Sequence, residues 1–284
     1  GAVADDQVEH ARRVRRSGSS PPGHRYRVEM PKDKNGAELD RWRIRPSDKV
    51  DLADFDPRSS DGAPGDKEET VAATLPLVEQ LSQLQNRLWA EGRQSLLLVL
   101  QAMDAGGKDG TIRRVFTGVN PQGVKVASFK APTVEELAHD FLWRIHQHTP
   151  AHGEISVFNR SHYEDVLIVR VDEIVPEPVW RARYEQIRHF EQALAHSGTR
   201  VIKVFLHISK EEQKRRFQER LDTPEKRWKF SAADLTVRAK WDPTAECPLF
   251  RKFLAENIPG MADRPNPLCR GERIGGGSPA PGVF

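Results

Sequence analysis

The sequence predicts an α/β fold in which a parallel sheet is sandwiched by helices and covered at one edge by a helical lid. Three observations carry this. The apolar run Leu96-Leu97-Leu98-Val99-Leu100 reads as a buried strand, a glycine-rich turn leads from it into a helical stretch, and further Val/Ile/Phe-rich runs alternate with amphipathic ones. Strands that alternate with helices pair in parallel through crossovers, which puts helices on both faces.

Taken in order, residues 1–29 are rich in Arg, Ser and Gly-Pro punctuation with no apolar period, so they cannot offset chain entropy and are expected to form a loose tail. Arg12, Arg13, Arg15 and Arg16 are read there as solvated cations, with contact to an anion as the alternative. Met30 opens a more protein-like stretch, so the upstream residues read as a mis-assigned start or an added extension. Val71, Leu75, Val78, Leu81, Leu84 and Leu88 recur every three to four residues and predict a helix over 67–92, with Gly92 near its end and Pro76 as a kink or its true start. A strand is expected over 95–102, a helix from about 111, a strand over 124–129, a helix over 134–148 and a strand over 155–158. Helices over 163–173 and 180–196 follow, then a strand over 200–208. Ser209 with Glu212 reads as a capping box for a helix over 210–221. Ser231 and Asp234 mark a short helix ending near Trp241. Beyond Asp242, repeated prolines and Gly275-Gly276-Gly277 replace regular structure except over 249–257, a change we read as a shifted reading frame. The expected organisation is therefore a tail over 1–29, a domain over 30–242 with its lid at about 209–235, and an irregular segment over 243–284.

Composition excludes several classes. With 37% hydrophobic residues in 284, disorder throughout is excluded, and a net charge of +3 is too small for a nucleic-acid coat. The longest apolar run falls far short of the ~20 residues of a membrane span, and 1–29 holds no signal-peptide core, so neither membrane nor targeting segment is expected. Cys247 and Cys269 form no disulfide framework or metal set, which fits a reducing, cytoplasmic setting.

The chemistry concentrates in three blocks. In Gln101-Ala102-Met103-Asp104-Ala105-Gly106-Gly107-Lys108-Asp109-Gly110-Thr111, glycines let backbone N–H groups and a helix N-terminus face an anion, and Lys108 adds a mobile positive charge. Against the pattern G-x-x-x-x-G-K-[ST], Ala102 holds the first glycine position and Asp109 stands where a Mg²⁺-binding hydroxyl is expected. A carboxylate beside a phosphate cradle makes sense with Mg²⁺ between them, and Asp104 is the favoured ligand. The second block, Asn159-Arg160-Ser161-His162-Tyr163-Glu164-Asp165, stands at the carboxyl end of a predicted central strand, where open α/β sheets bind ligands. Arg160 is placed as a phosphate clamp and Asp165 as a Mg²⁺ or water ligand, against the plainer alternative of Asp165 paired with Arg170. In the third, Arg216 and Arg220 share a helical face and can close over a phosphoryl group, against the alternative of a solvated helix with a Glu212 to Arg216 pair.

Together these blocks resemble the family-2 polyphosphate kinases, P-loop enzymes that move phosphate between inorganic polyphosphate and nucleotides, over about 42–241. The loop over 103–111 resembles that family's Walker A motif, 158–171 (FNRSHYEDVLIVRV) its Walker B block, and 209–235 its lid. The stretches NPQGVKVASFKAP and HDFLWRI resemble the branch that accepts both AMP and ADP. The resemblance implies a P-loop kinase-like fold and a Mg²⁺-dependent phosphotransferase, with inorganic polyphosphate and AMP, ADP and ATP as its partners, no nucleic acid or membrane partner, and a homo-oligomeric state. It implies that Asp104 and Asp165 handle metal and phosphate, that Lys108 contacts the transferred group, and that Gly106, Gly107, Asp109, Gly110, Thr111, Asn159, Arg160 and Glu164 line the site. Arg216 and Arg220 stabilise transition-state charge, Lys130 and Arg144 contact the nucleotide, and Arg113, Lys226 and Lys229 line a polyphosphate channel. The alternatives are a nucleoside-monophosphate kinase of the thymidylate-kinase type and an inactive polyphosphate-binding protein.

Overall fold

The computed structural model describes residues 42–44, 50–229 and 238–241. Of residues 1–43, Trp42 and Arg43 are described, both exposed. The architecture below belongs to the unit 44–284. The tail expected over 1–29 and everything expected beyond Asp242 lie outside the described residues, as do Ser231 and Asp234.

Helix α1 (Lys67–Glu91) is continuous through Pro76. Its ends explain its length: the Asp66 carboxylate accepts the Glu68 and Glu69 N–H groups at 2.8 and 2.9 Å, while Gly92 takes the left-handed φ of 60° that ends a helix without Cβ strain. Strand β1 (Ser95–Ala102) and helix α2 (Lys108–Val115) follow, then β2 (Val124–Ser128), α3 (Val134–Leu137) and α4 (Trp143–His146). The chain continues through β3 (Ile155–Asn159), α5 (Glu164–Val171), α6 (Glu177–His196), β4 (Thr199–Leu206) and α7 (Lys210–Asp222), and closes with a 3₁₀ turn at Pro224–Lys229.

The sheet is entirely parallel, in the order β2-β3-β1-β4. β1 and β3 are the two inner strands, in a register that pairs Leu100 with Asn159. Successive β1 side chains point to opposite faces, so the run of apolar residues feeds two cores at once. Leu97 and Val99 pack with Phe158, Val166, Ile187 and Phe190 under α5 and α6. Leu96, Leu98 and Leu100 pack with Ile155, Val157, Leu88, Ile112 and Phe116 under α1 and α2. Each fully buried side chain of this kind contributes about 1.5–3 kcal/mol of transfer free energy. Among the described residues, no helix is long and apolar enough to cross a membrane.

The single helix expected over 134–148 is two short ones. The Asp140 carboxylate accepts the Leu142 N–H at 3.0 Å, a side-chain turn that competes with helical hydrogen bonding and breaks the run between α3 and α4. At α7, Ser209 accepts the Glu212 N–H at 3.1 Å, but the Glu212 carboxylate is drawn to Arg215 and Arg216 instead of returning to the cap.

Candidate active site

The loop between β1 and α2 has the shape it has because two positions exclude a side chain. A Cβ on Gly106 would lie 2.5 Å from the Ala102 Cβ and 2.7 Å from the Met103 carbonyl oxygen, and Gly107 has a φ of 97°. Gly110 is different, since a Cβ there meets nothing within 4 Å. The Gly106 N–H donates to the Met103 carbonyl at 2.9 Å, and Thr111 donates to Gly107 at 3.0 Å within the first turn of α2. No side chain caps α2, so its N-terminal amides face the loop.

Lys108 Nζ donates to the Ala102 carbonyl at 3.0 Å. Burial pushes its pKa down, and the charges of Glu164, Asp104 and Asp109 oppose that, while Arg160 adds to it. Arg160 stands at the end of β3 with a φ of 65° and reaches back across the sheet edge, its Nη2 donating to Asp104 Oδ1 at 2.7 Å. Asn159 Nδ2 donates to Asp109 Oδ1 at 2.6 Å. Burial raises the Glu164 pKa, against the pull of Arg160 and Lys108. The topology thus gathers Asp104, Lys108, Asp109, Asn159, Arg160 and Glu164 at the carboxyl ends of the inner strands.

α7 covers this cluster. Arg216 Nη1 donates to the Ala105 carbonyl at 2.9 Å and its Nε to Glu212 Oε1 at 2.7 Å, so its guanidinium lies on the loop while the expected Glu212 pair also forms. One turn on, the Arg220 guanidinium lies over the Phe217 ring, 5.3 Å from its centroid. Gln213, which the sequence reading missed, is fully buried and donates to the Asp104 carbonyl at 2.9 Å.

Hydrogen bonds from Arg215 and then Arg216 hold the Glu212 carboxylate far below its usual range, at about 2. A folded pKa below the unfolded one contributes stability that is full above about 4.5 and lost as the pH falls toward 2. The urea midpoints of the wild type and Glu212→Gln should therefore differ at pH 6 and converge steadily below pH 4.5. Midpoints whose gap is the same at pH 6 and pH 3 would contradict that assignment.

The remaining candidates make contacts of their own. Asp165 Oδ2 accepts from Arg144 Nη2 at 3.0 Å, in place of the Arg170 considered above, whose guanidinium lies over Trp180. The Asp165 main-chain carbonyl accepts from Arg183 at 2.6 Å. Arg144 is buried, with Nη1 donating to the Lys130 carbonyl at 2.9 Å and lying 3.7 Å from Glu136. The Lys130 side chain is exposed. Arg113 is exposed in the last turn of α2, and Lys226 pairs with Glu219. The Lys229 side chain lies outside the described residues.

A second polar group lies beneath the cluster, also missed in the sequence. Glu191 Oε1 accepts from Tyr163 Oη at 2.8 Å and His162 Nε2 at 3.2 Å, and its Oε2 accepts from Lys203 Nζ at 3.1 Å. Burial would raise the Glu191 pKa, but Lys203 and the two hydrogen bonds override it and hold the carboxyl below its ordinary value. Two signals marked these residues: a lysine inside the apolar run of β4, and a glutamate on the stripe of α6 that buries Ile187 and Phe190.

The charges of Asp104, Asp109 and Glu164 all act on Lys108, and each offers hard carboxylate oxygens. Among the described residues, no three His, Cys, Asp or Glu side chains form a cage. One or two carboxylates open to phosphate oxygens and water suit Mg²⁺, so the residues present fit that ion.

Known proteins resemble this chain over most of its length. A family model described as Polyphosphate kinase 2 matches residues 65–247. The chain is 55% identical over 204 residues to an AMP/ADP-polyphosphate phosphotransferase of Meiothermus ruber, covering 72% of this chain and 76% of that protein. It is 48% identical over 228 residues to an ADP-polyphosphate phosphotransferase of Rhodopseudomonas palustris, covering 76% and 78%. A crystal structure of polyphosphate kinase 2 from Arthrobacter aurescens superposes with a TM-score of 0.67 at 46% identity, over 72% of this chain and 74% of that one.

Proposed function

The chain belongs to the Polyphosphate kinase 2 family, and on that premise we propose that it moves a phosphoryl group between inorganic polyphosphate and a nucleoside mono- or diphosphate, taking AMP to ADP and ADP to ATP. The observation that carries this reading is the gathering of three cations, Lys108, Arg160 and Arg216, on one glycine-shaped loop within the stretch that the family model matches.

An oxygen of the nucleotide's terminal phosphate attacks the end phosphorus of the polymer. A new anhydride bond forms, the old one breaks, and the chain leaves one phosphate shorter. The attacking oxygen is already anionic, so no general base is needed, and the rate comes from positioning and charge stabilisation. Lys108 and the α2 amides hold the transferred group, Arg160 clamps it from β3, and Arg216 closes from α7 as the lid. Mg²⁺, when bound, would supply positive charge that offsets the phosphate charges, and Asp104 with Glu164 would hold it. Asp165, tied to Arg144, instead fixes the first turn of α5 beside Glu164. A cytoplasmic setting and a homo-oligomer accompany this reading, and cell fractionation and light scattering test them.

The experiment is nucleotide formation by the purified protein with long-chain polyphosphate, Mg²⁺ and AMP or ADP, with ATP as a competing donor. Product from polyphosphate and not from ATP is the expected result. Transfer from ATP alone would favour the monophosphate-kinase alternative, and binding of polyphosphate without any product would favour a binding protein.

A further inference from the structure

The turn between β3 and α5 is divided into two sets of side chains. Asn159, Arg160 and Glu164 face the phosphate loop, whereas Ser161, His162 and Tyr163 are 0–1% exposed and point into the fold. Arg160 adopts a left-handed backbone that a residue with a Cβ rarely takes, so the turn keeps that shape only if its neighbours impose it. The buried set does so at both ends. Ser161 Oγ accepts from Gln101 Nε2 at 3.0 Å and from the Tyr163 N–H at 3.2 Å. His162 and Tyr163 both donate to one carboxylate, that of Glu191 on α6. Lys203 on β4 closes the group, donating to Glu191 Oε2 and to Tyr163 Oη, each at 3.1 Å.

We propose that Glu191 is a positioning residue for phosphoryl transfer: anchored by Lys203, it holds His162 and Tyr163 so that the turn presents Arg160 to Asp104 and the phosphate loop. Glu191 does not touch substrate, since it is 1% exposed on the inner side of the turn. A buried ion pair is weak evidence for stability, because apolar residues of similar volume serve as well or better. What the carboxylate supplies that a leucine cannot is two directed acceptor contacts to adjacent residues of a strained turn.

This inference rests on the proposed phosphotransferase activity, and the test separates the two. Glu191→Leu/Lys203→Met removes both charges together and keeps the volume, and Tyr163→Phe removes one hydrogen bond and keeps the ring. Both are assayed well below their melting temperatures, in the wild-type and Arg160→Ala backgrounds. The double replacement is expected to lower kcat about tenfold, with the nucleotide KM within about twofold, because sub-ångström misplacement of a charge-stabilising group acts on the transition state. In the Arg160→Ala background the same change is expected to cost less than about twofold, since the group it positions is gone. Tyr163→Phe is expected to act in the same direction, by about threefold, and settles the question if the double variant does not fold. Equal losses in both backgrounds, or a wild-type kcat per folded molecule, would overturn the proposal. A wild-type protein that transfers nothing overturns the activity instead. Inorganic tripolyphosphate affinity, read by calorimetry, then decides the positioning role, with weakening of about tenfold expected and an unchanged value refuting it.

Discussion

Lys108→Ala is expected to lower phosphoryl transfer by ~10²–10³-fold while leaving the protein folded, the loss typical of removing one charge-stabilising donor from a preorganised site. The two halves of this expectation have one cause. Burial disfavours the ammonium and pushes its pKa down, so the charge is held at the loop at a cost to stability that alanine removes. Against this, the Ala102 carbonyl loses its 3.0 Å donor, and Glu164 loses a cation that opposes its raised pKa. These terms have opposite signs, so the melting temperature should move by only a few degrees. Lys108→Arg is expected to lose most activity too, because a planar fork does not fit the place of a point charge beside Ala102. Retention of more than a tenth of the wild-type kcat in Lys108→Ala would remove the lysine from the reacting group.

How much of this was legible beforehand follows from how local each signal is. β1 was readable because a strand buried on both faces carries a continuous apolar run, here Leu96 to Leu100, and that run is bounded by the turn that shapes the loop. Strand order was not readable. Leu97 meets Val201 on one side and Ser156 on the other, partners far along the chain that no local pattern encodes. The helix expected over 134–148 failed for a local reason that periodicity hides: the short Asp140 side chain takes the Leu142 N–H in place of a helical carbonyl.

The candidate site divides in the same way. Gly106, Gly107 and Lys108 carry their chemistry in one loop, and the sequence shows them together. Gln213 and Glu191 act on groups 109 and 28 residues away, so only the fold reveals them. Charged residues on buried stripes were the available sign, and Glu191 with Lys203 shows how it is to be used: a charge where the period demands an apolar residue marks a paired group with something to hold.

Arg144 is the residue whose two readings differ most in their consequences. As a nucleotide contact, implied by resemblance, its loss would raise the nucleotide KM and leave the fold intact. The structure instead spends its guanidinium on Asp165 and the Lys130 carbonyl, with Glu136 close by, and leaves its side chain 7% exposed. Breaking a buried pair by removing one member strands the other, so Arg144→Met is expected to destabilise the protein by about 3–5 kcal/mol. At ~2–4 °C per kcal/mol for a domain of this size, the melting temperature should fall by roughly 6–20 °C. Asp165→Leu alone should cost a similar amount, and the double variant should recover much of it, because neither charge is then left without its partner. Thermal melts of the four proteins decide the matter. A large favourable coupling makes Arg144 a strut that ties the segment after β2 to α5 and so fixes Glu164 from behind. Unchanged melting with a raised nucleotide KM would return it to the substrate.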